Sequence, residues 1–159
     1  MLQIRTVTLE TTQEIDEVEA WFNKNTHSST NLILDSGVKT NEAFKGIISR
    51  DHFRIIPAIK YRNSFAPIIE GSMMDKKPGA EVIMRIGIHS GIVIFMAAFL
   101  LIALALMAVD LSASEKIQLF DILFLSIIVF TISVMTFLFF IESNNCISKI
   151  QENLNAIKK

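Results

Sequence analysis

Apolar positions alternate with polar ones in the first half of this chain and fuse into two unbroken runs in the second. Positions 88–109 read IHSGIVIFMAAFLLIALALMAV, and positions 119–141 read LFDILFLSIIVFTISVMTFLFFI. At about 1.5 Å per helical residue, each run crosses a hydrocarbon core of roughly 30 Å. Only positions 110–118 separate them, so the pattern predicts an antiparallel transmembrane hairpin over 88–142.

The first 87 positions predict one compact domain without repeats or low-complexity linkers. Alternation over 4–9 predicts a strand. Thr11 or Thr12 is then placed to cap a helix reaching Asn25, with Ile15, Val18, Trp21 and Phe22 on one face. Positions 27–41 are rich in Ser, Thr and Asn and read as a loop holding a short strand at 32–34. A period of two returns from position 42, predicting strands at 44–48, 53–61, 68–74 and 81–88. Lys77-Pro78-Gly79 supplies the turn before the last of these. The class expected is α+β: an N-terminal helix on an antiparallel β-meander, followed by the two-helix hairpin. A partly closed small barrel is the alternative. Almost no linker separates the last strand from the first apolar run. Positions 143–159 form a third segment, where Ile147, Ile150, Leu154 and Ile157 are spaced three, four and three as an a/d seam. Docking on the domain or contact with the membrane surface is expected of it.

Composition sharpens the class. The chain is 51% hydrophobic with a mean hydropathy of +0.45, and a net charge of −1 argues against nucleic acid as a partner. The lone Cys146 suits a reducing compartment. No apolar h-region opens the sequence, so the first span is expected to act as an uncleaved insertion signal. Lys76, Lys77 and Arg85 precede the hairpin and Lys149, Lys158 and Lys159 follow it, against Lys116 alone in the connection. That bias predicts both termini on the cytoplasmic side.

Candidate chemistry is sparse. No GxSxG, P-loop, HExxH or CxxC occurs, and His27, His52 and His89 are scattered, so neither catalysis, a cofactor nor a metal is expected. Arg54, Lys60, Tyr61, Arg62 and Asn63 form the most polar stretch of the expected sheet. Guanidinium forks and a tyrosine suit an anionic lipid headgroup or a phosphorylated ligand, while Asn63 and Ser64 also read as plain turn chemistry. Gly91, Ala98 and Ala105 recur every seven positions in the first span, and Ser126 and Ser133 do so in the second. These small stripes are expected to seal the hairpin internally, with packing between protomers as the alternative. Asp121 is read as an interfacial, solvated carboxylate near an external capping box at Ser112 and Glu115. Antiparallel spans also bring His89 toward Glu142, predicting a pair that clips the cytoplasmic end of the hairpin.

Tyr61, Arg62, Asn63, Ser64, Phe65 and Pro67, with Gly71 after them, carry a resemblance. Positions 44–96, about a third of the chain, resemble uncharacterised small bacterial membrane proteins with a strand-rich cytoplasmic module carrying this YRNSFxP core before a hydrophobic hairpin. Strands with two spans also resemble pleckstrin-homology-like proteins of the YcxB type, in which the spans precede the β domain. The resemblance implies a bacterial inner-membrane location and supplies no activity. The function expected is therefore a non-enzymatic inner-membrane protein whose β-rich domain binds a ligand, lipid headgroup or partner and is coupled to the hairpin. Its partners would be membrane lipids, a second copy or another membrane protein. The alternatives are an oligomerising, membrane-disrupting or pore-forming effector and an accessory subunit of a larger complex.

Overall fold

The computed structural model describes residues 1–29, 41–58, 66–114 and 119–158. In chain order the elements are β1 (Leu2–Thr11), α1 (Ile15–Asn25), β2 (Thr26–Ser28), β3 (Phe44–Ile47), β4 (Phe53–Pro57), β5 (Ile68–Asp75), β6 (Ala80–Ile88), α2 (Ser90–Ser114), α3 (Leu119–Asn153) and β7 (Ile157–Lys158). The strands form one open sheet in the order β2-β3-β4-β5-β6-β1-β7. β2 runs parallel to β3, and every other pairing is antiparallel. The fold is thus the expected α+β class, with β3 to β6 as the meander and an open sheet instead of a barrel. The expected strand at 32–34 lies outside the described residues. β2 falls where the sequence reads as loop, and β7 where it reads as a helical tail.

Local chemistry explains the turns. Gly79 closes the β5–β6 hairpin with φ +100°, and a Cβ there would meet the Thr11 carbonyl at 2.0 Å, so only glycine fits. Gly71 faces Phe53 across β4 and β5, and the Phe53 ring lies over it, 2.6 Å from where a Cβ would stand. Thr11 does not cap α1. Its hydroxyl donates to the Leu154 carbonyl at 2.6 Å, and the N-cap of α1 is Glu14, which makes no side-chain capping bond.

One face of the sheet carries the core. Val7, Leu9, Phe53, Ile55, Ile69, Met73, Val82, Met84 and Ile86 point into it, every one at most 3% exposed. The face is covered in two halves. α1 lays Val18 and Phe22 over the β3–β5 half, where Phe22 stacks on Phe53 at 4.9 Å and Trp21 meets Phe44 edge-on at 6.3 Å. The end of α3 adds Cys146, Ile147, Ile150 and Leu154 to the same core, and a hydrogen bond from Thr11 ties Leu154 to β1. The tail seam is therefore docked, except that Ile157 is 76% exposed.

α3 is 35 residues long, about 52 Å at 1.5 Å per residue, far beyond a single hydrocarbon thickness. It runs without a break through Glu142, where the pattern divides hairpin from tail. It ends at Asn155, whose φ of +46° is left-handed. The Asn155 amide donates to the Glu152 carbonyl and the Ala156 amide to the Gln151 carbonyl. That pair of bonds is a Schellman closure with asparagine in place of glycine. It reverses the chain into β7, which pairs with Leu9 and Glu10.

α2 and α3 contain stretches long and apolar enough to cross a membrane, and their large apolar side chains point outward. Ile94, Phe95, Leu101 and Phe130 are each 68% exposed. The helices meet along a seam of α2 positions 93, 96, 100, 103 and 107 against α3 positions 124, 128, 131, 135 and 139, with Ala103, Ile128 and Phe139 the most buried.

If the end of α3 is core, Leu154→Ala should lower stability by about 3 kcal/mol. Ile157→Ala should change it by less than about 0.5 kcal/mol. Urea unfolding of the detergent-solubilised chain, followed by Trp21 fluorescence, measures both.

Candidate functional site

The face of the sheet away from the core holds the most promising chemistry. Register aligns Arg54 with Glu70 and Glu70 with Arg85 in one rung across β4, β5 and β6. Arg54 Nε lies 3.2 Å from Glu70 Oε1. This is an ion pair in which the buried Nε is not aligned as a hydrogen bond. Beside this rung opens a depression of about 240 Å³, lined by Asp51, His52, Glu70, Ser72, Ile83 and Arg85, with Gly71 and Met74 completing it. Asp51 and His52 come from the β3–β4 turn. That turn is pinned to α1 by Arg50, which pairs with both Asp16 and Glu19.

Arg85 and His52 offer donors for a carboxylate or phosphate. Asp51 and Glu70 offer acceptors, and the Ser72 hydroxyl does either. A concave site with few convergent polar groups and an apolar floor of Ile83 and Met74 suits a small charged ligand. Among the described residues no group of three or more His, Cys, Asp or Glu side chains converges to hold a metal.

Of the binding stretch expected from sequence, Arg54 is committed to Glu70. Lys60, Tyr61, Arg62 and Asn63 lie outside the described residues. Sequence reading missed Asp51, His52, Glu70, Ser72 and Arg85. Alternation in β5 and β6 already puts Glu70, Ser72 and Arg85 on polar faces, but strand adjacency is needed to bring them to one hollow.

The small-residue stripes are not the hairpin seam. Gly91, Ala98, Ala105, Ser126 and Ser133 are all exposed. The Ser126 hydroxyl donates to the Leu123 carbonyl and that of Ser133 to Val129, which satisfies both within their own helix. The strand-to-helix junction fixes how α2 is rotated, and bulkier seam residues such as Met96 and Leu100 supply more apolar contact. Asp121 is 6% exposed instead of solvated, and its carboxyl lies beside that of Asp110. Ser112 lies within α2 and donates to the Ala108 carbonyl, so it does not cap α3.

At the opposite end of the hairpin the bond made by His89 is local. Its Nδ1 accepts the Gly91 amide at 3.1 Å and its carbonyl accepts the amides of Ile92 and Val93, which caps α2. Glu142 is half-buried on α3 and acts on Cys146, one turn on. Cys146 lies in the sheet core, beyond the part of α3 that lipid could surround. Burial foremost, and then the Glu142 charge, push its thiol up to about 12, with Lys149 pulling weakly the other way.

No family model, curated protein or solved structure matches the chain, so its chemistry rests on its own residues.

With so high a pKa, Cys146 holds almost no thiolate at pH 8. Maleimide should label it at least a hundredfold more slowly in the folded chain than in 8 M urea, as intact mass would show. Equal rates would place Cys146 outside the core.

Proposed function

We propose that this chain is a non-enzymatic membrane protein whose sheet domain binds a small charged ligand and passes that event to the hairpin. The pocket on the polar face is the binding site, and Arg85 is its principal anion contact. The observation that carries the reading is the double junction between sheet and hairpin. β6 ends at Ile88 and α2 begins at Ser90, while α3 ends inside the core. Arg85 lies on β6, three residues before its end. A ligand drawn onto Arg85 therefore pulls on the strand that α2 continues.

A bacterial inner membrane, with both termini cytoplasmic, is the location proposed. The Lys/Arg bias along the chain supports that orientation of the termini. Lys76 and Lys77 follow the Asp75–Ala80 pair at the far end of the sheet, which is seven rows from the Ile68–Gly87 pair or about 23 Å. Insertion reads charge on the unfolded chain, so sequence distance is what counts for them.

A second reading, an oligomerising pore-forming effector, draws on the outward-facing stripe of Gly91, Ala98 and Ala105, which suits close approach of another helix. Two helices enclose no channel by themselves.

Native mass spectrometry of the full-length protein from mild detergent separates these readings. The binding reading predicts one stoichiometric small-molecule adduct, reduced at least tenfold in Arg85→Ala. A ligand-free oligomer that depolarises membranes on overexpression would contradict it and favour the effector. A ligand-free chain held by one stoichiometric membrane partner would also contradict it, and would point to an accessory subunit.

A further inference from the structure

Two large apolar side chains at the start of β1 are left in the open. Leu2 is 50% exposed and Ile4 43%, whereas Val7 and Leu9 further along the strand are in the core at 2% and 0%. A single exposed leucine says little by itself, so what matters is where these two stand. Leu2 pairs with Ile88, two residues before α2 begins at Ser90. Ile4 lines an apolar hollow of about 260 Å³ together with Ile88, with Ile92 and Val93 of α2, and with Phe139 and Phe140 of α3. The start of β1 is therefore level with the first turn of α2 and with the last apolar turn of α3 before Glu142.

Helix length sets where hydrocarbon would end. The apolar stretch of α2, Ser90–Asp110, has 21 residues, about 30 Å at 1.5 Å each, and a hydrocarbon core is roughly 30 Å thick. It has no length to spare, so its first turn stands at the edge of that core. α3 gives the same level independently. Its uncharged stretch from Ile122 to Ile141 is also about 30 Å long at that rise, which puts Phe140 at the same edge.

β1 changes character at this level. The register with β6 skips Ile4, between Gln3 and Arg5, a bulge that takes its side chain out of the strand's alternation. Gln3 turns its amide back along the strand, where Nε2 donates to Thr6 Oγ1 at 2.8 Å. Arg5 Nη1 donates to Asn144 Oδ1 at 3.0 Å, and Asn144 lies one turn beyond Phe140. Apolar side chains thus give way to a polar tie between one residue of β1 and the next.

We infer that the start of β1 is a third membrane contact, with Leu2 and Ile4 in the acyl region at the bilayer's edge and Arg5 at headgroup level. The inference rests on the reading that the hairpin spans a bilayer. It goes further, because the sheet domain itself then touches lipid. Lipid is favoured over a second chain because the exposed pair continues the outward surface of α2, where Ile94 and Phe95 are each 68% exposed. The sheet is then held to the membrane through β1 as well as through both helices.

The test uses the full-length protein in phosphatidylcholine vesicles, with a nitrobenzoxadiazole probe on Ile4→Cys, Thr8→Cys or Phe95→Cys. The wild-type chain, labelled in parallel, gives the background from buried Cys146. Quenching is read after part of the lipid is replaced by phosphatidylcholine bearing a nitroxide high on one acyl chain. Thr8 is four residues along the same strand, about 13 Å from Ile4. The Ile4 probe should be quenched at least half as strongly as the Phe95 probe and at least threefold more than the Thr8 probe. Quenching at Phe95 with none at Ile4 overturns the β1 contact and leaves the hairpin in the bilayer. Equal quenching at Ile4 and Thr8 overturns it too, since the boundary would not cross the strand after Ile4. No quenching at Phe95 removes the bilayer reading along with it.

Discussion

The burial of the last turns of α3 against the sheet holds this structure together. Ile150 and Leu154 are fully buried, and burying such side chains stabilises by roughly 1.5–3 kcal/mol each. A helix has no soft joint between its ends, so the apolar stretch before Glu142 and the core residues after it turn as one rod. Rotating α3 by one residue, about 100°, would swing its core face off the sheet. The seam at Ile128 and Phe139 is thus fixed in phase with the core at Ile150. The Schellman closure at Asn155 and the short pairing of β7 with β1 lock the rod's end. α2 is held from the other side, because β6 feeds it through His89 alone.

That arrangement divides the sheet's two faces by role. α1 and α3 take the core face between them, which leaves the opposite face to the Arg54–Glu70–Arg85 rung and the adjoining hollow. The strand that supplies Arg85 becomes α2, and the strand that supplies Ile4 and Arg5 lies beside both β6 and β7. The polar pocket therefore lies on the face of β5 and β6 opposite the core.

Much of the fold was legible in the sequence because it depends on period. Unbroken runs marked the hairpin, alternation marked β5 and β6, and Lys77-Pro78-Gly79 marked their turn. The apolar spacing of Ile147, Ile150 and Leu154 marked a docked tail. What escaped depends on neighbours distant in the chain. Nothing local says that β1 inserts beside β6, that Thr11 serves Leu154 instead of α1, or that His52 and Arg85 line one hollow. A seven-residue recurrence, likewise, does not say which heptad position faces the partner. Gly91, Ala98 and Ala105 recur as regularly as the true seam, and only the junction after β6 decides which row turns inward. Asp121 reads as an exposed interfacial charge until Asp110 is placed beside it.

The central claim is that sheet and hairpin form one rigid body. A spin-label distance between Lys77→Cys, at the far end of the sheet, and Val109→Cys, near the far end of α2, tests it most directly. The pair is measured in the full-length protein in lipid nanodiscs, with buried Cys146 left in place. A single distance distribution only a few ångströms wider than the labels themselves is the predicted result. A broad or bimodal distribution, as from a domain swinging about positions 88–91 or about Glu142, would contradict the account.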